Sequence, residues 1–193
     1  MIFLALLIYA LSLVFLLYIV LSFFIFKGWK YPPYVPSFGK IKHTLLQETA
    51  DILEKSHKSL VVADLGCGDG CLLAKLARKF PNHKFIGYEW NPFPFYLSKM
   101  RLKKYSNVTL IHADLMQEDL SDIDVVIFYW SSDIDFNRKL KKSLKKSAIV
   151  LSEIFELTNW KVYKKVISKL FGFKTPIFIY RVQDQKFSKQ TEK

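Results

Sequence analysis

The first 26 residues of the chain contain no charged side chain. Backbone polar groups find no water inside a bilayer, so an apolar run that enters one must be helical. A helix of about 25 residues spans roughly 37 Å, enough to cross a hydrocarbon core of about 30 Å with some tilt. Apolar residues surround this helix on all sides, which disfavours a surface amphipathic helix. The run therefore predicts a transmembrane anchor over residues 1–26, with residues 2–26 in contact with the bilayer.

The flanks of this run bear on its retention and its orientation. A cleaved signal peptide has a basic start, an apolar stretch of about 7–15 residues and a small-residue cleavage site. This run has no basic start, is longer, and ends in Phe24-Ile25-Phe26-Lys27, so a retained anchor is favoured over a signal peptide. Lys27, Lys30, Lys40 and Lys42 follow the run, and basic residues stay on the cytoplasmic side. We therefore expect a single-pass membrane protein with a cytoplasmic domain.

The composition of the remaining chain suits one globular domain. All 29 Lys and Arg and all 17 Asp and Glu lie outside the apolar run, so the net charge of +12 belongs to this part. Cys67 and Cys71 are the only cysteines. Two cysteines make no disulfide framework, and no Cys or His pair elsewhere completes a zinc pattern. We expect reduced thiols and no metal.

Strand-like and helix-like segments alternate after the apolar run. The prolines of residues 27–40 predict an extended linker. Strands are predicted at 60–65, 85–88, 108–111, 124–129 and 148–151, and helices at 41–55, 72–80, 93–104 and 135–146. This alternation predicts an α/β fold, a mostly parallel sheet with helices on both faces.

The last third of the chain is ambiguous. Val162, Val166 and Leu170 have helical spacing, whereas residues 177–180 are β-branched and aromatic. A closing hairpin that turns near Gly172 is favoured over a helix. The folded domain is predicted over residues 41–183, followed by a polar tail over 184–193.

A glycine-rich segment joins the first predicted strand to a helix. It reads Asp64-Leu65-Gly66-Cys67-Gly68-Asp69-Gly70. A tight turn that lets a ligand touch the backbone requires glycine, and the helix N-terminus presents free N–H groups. A dinucleotide fingerprint would need glycine at Cys71. The observed spacing after an acidic residue is instead typical of S-adenosyl-L-methionine-dependent methyltransferases.

Acidic residues also end the next two predicted strands. Glu89 can accept hydrogen bonds from both hydroxyls of a ribose, and Asp114 can accept one from an adenine amino group. Because the carboxyl ends of parallel strands meet at one edge, these residues should converge. A structural role for Asp64 as a cap of the turn is the alternative. The predicted cofactor site consists of Asp64, Gly66, Cys67, Gly68, Asp69, Gly70, Glu89, Trp90, Asn91, Asp114 and Leu115.

Longer segments resemble a known family. They are Pro33-Tyr34-Val35-Pro36-Ser37, Gly87-Tyr88-Glu89-Trp90-Asn91-Pro92, Asp124-Val125-Val126-Ile127-Phe128 and Phe155-Glu156-Leu157-Thr158-Asn159-Trp160. In these segments the chain resembles the membrane-anchored class I protein-lysine methyltransferases that modify the adenine nucleotide translocase and the c subunit of ATP synthase, with their prokaryotic relatives. The resemblance implies a Rossmann-like domain that N-methylates lysine with S-adenosyl-L-methionine.

Two segments depart from the family pattern. Cys71 stands where the family commonly has Arg. Tyr129-Trp130-Ser131-Ser132 replaces the family's Gly-Val-Pro-Gln type of segment, which borders the acceptor pocket. The acceptor therefore stays open, and the candidates for a catalytic role near the expected acceptor mouth are Tyr129, Trp130 and Ser37.

Three functions remain compatible with these features. The first is lysine methylation of a membrane-associated protein, and the second is methylation of a lipid or small lipophilic amine. The third is a non-catalytic module that binds an anionic membrane or nucleic acid through a basic helix. That helix carries Lys139, Lys141, Lys142, Lys145 and Lys146. A solvated face near an anionic leaflet explains these lysines more simply, so a nucleic-acid partner is disfavoured.

Overall fold

A computed structural model of the chain describes residues 2–25, 39–129, 134–170 and 173–185. The candidate residues Ser37 and Trp130 lie outside these ranges. The chain divides into two compact units, Met1–Val35 and Pro36–Lys193.

Among its described residues, the first unit contains one helix, α1, over Ile2–Ile25. Its stretch Phe3–Leu21 is long and apolar enough to cross a membrane, although a signal sequence would satisfy the same criteria. The apolar side chains of this stretch are exposed, with Phe3 at 81% and Val14 at 65%. The Ser12 hydroxyl donates to the Tyr9 carbonyl at 2.7 Å, so this polar group is satisfied within the helix. The predicted apolar N-terminal helix is confirmed.

The second unit is built on one sheet. Within the described residues the sheet has seven strands in the order β3-β2-β1-β4-β5-β7-β6. The strands are β1 Val61–Leu65, β2 Lys84–Glu89, β3 Val108–His112, β4 Val125–Phe128, β5 Ile149–Glu153, β6 Lys164–Leu170 and β7 Phe173–Arg181. Strands β1 to β5 are parallel, and β7 runs antiparallel to β5 and β6. The strand order reverses between β1 and β4, where such sheets open a crevice at their carboxyl ends.

Helices cover both faces of this sheet. They are α2 Gly39–Glu54, α3 Cys71–Lys79, α4 Pro92–Leu102 and α5 Ile134–Ser143. Side chains alternate between the faces of a strand, so Val62 and Ala63 of β1 enter different cores. Val62 belongs to the core that includes Leu45, Leu73 and Leu102 of α2, α3 and α4. Ala63 belongs to the core that α5 covers. The predicted α/β fold is therefore confirmed.

The closing hairpin is also present. Strands β6 and β7 pair along their length, from Lys164 opposite Ile179 to Leu170 opposite Phe173. The hairpin contacts α2, because the hydroxyls of Thr44 and Ser168 share a hydrogen bond of 2.9 Å. The helical alternative for this segment is wrong. Its apolar residues recur every four positions, and that spacing places side chains on one face of a helix or of a strand alike.

Candidate cofactor and acceptor site

The glycine-rich loop after β1 is fastened to the end of β2. The backbone N–H groups of Gly66 and Cys67 both donate to the Tyr88 carbonyl at 2.8 Å. The Gly70 N–H then donates to the Cys67 carbonyl at 2.9 Å, and α3 begins at the next residue. These bonds hold the loop beside Glu89, as the sequence predicts for a shared site.

Gly66 leaves room for a ligand against the loop backbone. Its φ is +87°, a left-handed conformation that L side chains rarely adopt. A Cβ placed on Gly66 would have no heavy atom within 4 Å, so the space above this residue is open. The backbone is thus accessible at the point where the crevice of the sheet lies.

Gly70 serves packing as well as the turn. Its φ is +71°, and a Cβ there would lie 2.8 Å from Leu102 Cδ1 and 3.1 Å from Ser98 Cβ of α4. We expect Gly70→Ala to lower the free energy of unfolding by about 2–4 kcal/mol, because it combines left-handed strain with overpacking. Urea unfolding measures this loss. Gly39→Ala is the matched control, since Gly39 has φ +57° and open space around it. Equal losses in the two variants would contradict the packing role of Gly70.

Glu89 is held at the carboxyl end of β2 by two backbone donors. The Gly68 N–H donates to its Oε2 at 2.9 Å, and the Asn91 N–H donates to its Oε1 at 2.7 Å. Burial raises the pKa of this carboxyl, and the two hydrogen bonds partly offset that rise. Each carboxylate oxygen can still accept a second hydrogen bond. The arrangement can therefore bind a pair of hydroxyls in a fixed orientation.

Asp64 is a buried carboxyl at the carboxyl end of β1. Its pKa is raised from 3.8 to about 7, first by burial and then by the negative charges of Glu89 and Glu153. Lys42 of α2 acts in the opposite direction. The positive charge of Lys42 does not offset burial and the two negative charges, so a cationic ligand group is favoured at this position.

This raised pKa makes a pH dependence testable. In the free protein Asp64 keeps its proton up to about pH 7, whereas the unfolded chain loses it near 3.8. The folded state then binds the extra proton, so this group makes stability fall as pH rises from about 4 to 7. A cationic cofactor needs the ionised form, so its Kd should rise by up to about tenfold for each pH unit below 7.

Calorimetric titration of S-adenosyl-L-methionine between pH 5.5 and 8.5 measures this dependence. The Asp64→Asn variant cannot ionise and should bind with a nearly flat pH profile, apart from a contribution of Glu89 at the acidic end. An equally steep profile in the variant would show that another group controls binding.

Several other residues predicted for the cofactor site have structural contacts. The Cys67 thiol is buried, and a Cβ on Gly87 would lie 2.9 Å from its Sγ. This side chain packs into the core, so a role of Cys67 in cofactor binding stays a prediction and would fall to its backbone. Asp69 accepts from the Cys71 N–H at 3.1 Å and pairs with Arg101 of α4. The Asn91 side chain accepts from the Phe93 N–H at 3.1 Å and thereby caps the N-terminus of α4.

The segment after β3 follows the same edge of the sheet. Asp114 accepts from the Met116 N–H at 3.0 Å, and Leu115 packs against the core that α5 covers. His112 contacts the Trp90 carbonyl at 2.7 Å, which joins the ends of β2 and β3. The structure thus brings the ends of β1, β2 and β3 together, as their acidic residues predict.

The β4–β5 side of the crevice contains a residue that the sequence motifs do not predict. Glu153 ends β5 and is 1% exposed. In the sheet order β5 is next to β4, so Glu153 lies beside Tyr129, which directly follows β4. Burial first, and then the charge of Glu153, raises the pKa of Tyr129. The sequence contains one signal that could identify Glu153: it is an acidic residue at the end of a strand, as Glu89 is.

The backbone after Glu153 is strained. Ile154 has φ +71°, which is exceptional for a β-branched residue. Its N–H donates to the Pro176 carbonyl at 2.9 Å, so the hairpin holds this conformation. Strain of this kind concentrates at functional sites, and here it fixes the residue after the buried Glu153.

These groups fit S-adenosyl-L-methionine. Glu89 offers a fixed carboxylate for ribose hydroxyls, and Gly66 leaves the loop backbone open. Asp64 adds a buried carboxyl suited to a cationic group. The three features lie at the ends of adjacent strands, where ligands of open α/β sheets bind.

Comparison with known proteins identifies relatives along most of the chain. Residues 64–164 match the family model described as the ANTKMT methyltransferase domain. A protein-lysine N-methyltransferase of Saccharolobus islandicus is 24% identical over 159 residues, which are 80% of this chain and 96% of that protein. A tRNA (guanine-N(7)-)-methyltransferase of Thermotoga maritima is 36% identical over 59 residues, 30% of this chain and 19% of that protein.

Solved structures share the fold. An RNA methyltransferase of Salinibacter ruber in complex with S-adenosyl-L-homocysteine superposes with a TM-score of 0.64 at 20% identity, over 82% of this chain and 100% of that one. The magnesium protoporphyrin IX methyltransferase of Synechocystis, with bound S-adenosylmethionine, has a TM-score of 0.58 at 14% identity, over 78% and 86%. The predicted class I fold and the cofactor S-adenosyl-L-methionine are confirmed. Because the family model covers just over half of its residues, the chain belongs to the ANTKMT methyltransferase domain family.

Proposed function

We propose that the chain transfers methyl groups from S-adenosyl-L-methionine to lysine side chains of a membrane-associated protein. The buried carboxyl of Glu153, beside Tyr129 at the acceptor side of the crevice, carries this proposal. A lysine arrives as a cation, and a buried negative charge attracts a cation strongly. A phosphate group would be repelled at the same place. The similarity to a protein-lysine N-methyltransferase supports an amine acceptor.

The described residues can perform the steps that lysine methylation requires. When bound, S-adenosyl-L-methionine supplies an electrophilic methyl carbon on a sulfonium sulfur. Glu153 binds the incoming ammonium group and orients it, and the Tyr129 ring offers a face for a cation–π contact. Burial at this site disfavours charged groups, so the ammonium proton can pass to the Glu153 carboxylate, which leaves the neutral and nucleophilic amine. Holding the nitrogen in line with the methyl group supplies most of the acceleration.

We further propose that α1 is retained and anchors the domain at the cytoplasmic side of a membrane. The basic residues that follow α1 in the sequence support this orientation. An anchor confines the enzyme to the surface where its acceptor is held, which raises the effective concentration of that acceptor. It also explains why a small domain follows a predominantly apolar helix of 24 residues in the sequence.

Labelled methyl transfer on isolated membranes tests this function. The full chain is incubated with membranes and S-adenosyl-L-methionine that carries a labelled methyl group. We expect label in the protein fraction, and mass spectrometry should locate it on lysine. The Asp64→Ala variant is the control that should transfer no label. Label confined to lipid would favour the lipophilic-amine alternative and overturn the proposal, as would label on nucleic acid.

The basic helix gives little support to the non-catalytic alternative. Three of its lysines bind neighbouring loops through backbone carbonyls: Lys139 to Glu118 at 2.6 Å, Lys141 to Asn159 at 2.9 Å and Lys145 to Asp122 at 2.9 Å. These contacts fasten α5 to the domain. They leave fewer lysines for a phosphate backbone than the sequence implies.

A further inference from the structure

The outer face of α4 exposes three large apolar side chains in one row. Phe93 is 60% exposed, Tyr96 61% and Met100 50%. They are spaced three and four residues apart and therefore share one side of the helix. Pro94, Ser98 and Leu102 form the opposite, buried side. We call Phe93, Tyr96 and Met100 the α4 stripe. A row of this kind on a small domain marks an interaction surface.

Positive charges lie beside the C-terminal half of the α4 stripe. Lys99, Lys103 and Lys104 are exposed at its C-terminal half, and Arg101 pairs with Asp69 at its edge. No acidic residue occurs within Pro92–Lys104. Neighbouring aromatic and basic side chains suit a partner surface that has an apolar interior and a negatively charged outer layer. The headgroup region of an anionic bilayer has this chemistry.

Other occupants fit less well. The three side chains together expose roughly 300 Å², whereas a stable protein interface needs about 800 Å² from each partner. A second copy would also bring the same lysines against each other, and like charges repel.

We propose that the α4 stripe docks into the surface of an anionic lipid bilayer and holds the cofactor crevice against it. Phe93 lies four residues after Glu89, so the docked end of α4 adjoins the crevice. The inference rests on the proposed retention of α1, because an anchored domain needs only a weak second contact to remain docked.

Photocrosslinking in vesicles tests this docking. The full chain, with p-benzoyl-phenylalanine in place of Tyr96, is reconstituted into vesicles of phosphatidylcholine with or without about one-third phosphatidylglycerol. His57 provides the control position, since it is exposed in the turn before β1, at the opposite end of the strands. Irradiation is followed by mass spectrometry of the adduct. We expect lipid adducts at position 96 about tenfold more often than at position 57, and only with the anionic lipid.

A charge-reversed variant completes the design. Lys99→Glu with Lys103→Glu and Lys104→Glu should reduce lipid adducts at position 96 while S-adenosyl-L-methionine binds as before. Adducts to a second copy or to another protein, or equal yields at both positions, would overturn docking. Flotation of the vesicles separates the two proposals. A chain that floats without lipid adducts at position 96 refutes only the α4 stripe, whereas a chain that does not float refutes the anchor as well.

Discussion

Replacing Glu153 by glutamine is expected to slow methyl transfer about 100-fold while the affinity for S-adenosyl-L-methionine is retained. The amide keeps the shape of the side chain but removes the negative charge that, in our proposal, binds the lysine ammonium. Removal of this charge also relieves the repulsion that raises the pKa of Asp64. Cofactor binding should therefore weaken less at pH 6 than it does in the unsubstituted protein.

Three measurements separate this role from a structural one. Methyl transfer to membrane protein gives the rate, calorimetry gives the cofactor Kd at pH 6 and 8, and thermal unfolding reports the integrity of the fold. Glu156→Gln is the matched control, because Glu156 is exposed three residues further along the chain. A parallel loss of rate, cofactor binding and thermal stability would assign Glu153 to the fold rather than to the acceptor.

The Glu89→Gln variant is expected to bind S-adenosyl-L-methionine about 100-fold more weakly. Glu89 accepts from two backbone N–H groups, of Gly68 and Asn91. A glutamine side chain has only one acceptor oxygen, and its NH₂ group would point a donor at the second N–H. The variant thus loses an acceptor for the ribose and also a bond that shapes the loop or the start of α4.

Calorimetric titration measures the affinity, and Glu54→Gln serves as the control. Glu54 is exposed at the end of α2, where it pairs with Lys79 at 2.8 Å. That exposed pair should contribute little. An unchanged Kd in Glu89→Gln would mean that the cofactor does not bind at the carboxyl end of β2.

The order of elements and the edge that carries the site could be predicted from the sequence. The spacing of apolar residues differs sharply between the strands, which are short apolar runs, and the helices between them. The acidic residues that end the parallel strands must all lie at the same edge of the sheet. Asp64 and Glu89 follow this rule in the structure. The β-branched and aromatic residues near the C-terminus favour a closing hairpin, and the pairing of β6 with β7 confirms it.

Other features depend on contacts that a linear pattern does not contain. Cys67 lies between glycines that suggest a ligand loop, yet its thiol packs into the core beside Gly87. Glu153 obeys the strand-end rule, but only the sheet order places β5 next to β4 and so beside Tyr129. The outer row of α4 could not be recognised, because apolar residues occupy both its buried and its exposed side and give no single periodic face.

The contact between Arg101 and Asp69 joins α4 to the glycine-rich loop. Gly70 of the same loop also packs closely against α4. A displacement of α4 would therefore also displace the backbone of the glycine-rich loop, which faces the cofactor. If lipid and cofactor each favour one position of this helix, thermodynamic linkage requires the two effects to be equal. Any factor by which the membrane increases cofactor affinity is also the factor by which bound cofactor increases membrane affinity. The enzyme would then bind its methyl donor most readily at the membrane, where we propose that its acceptor is held.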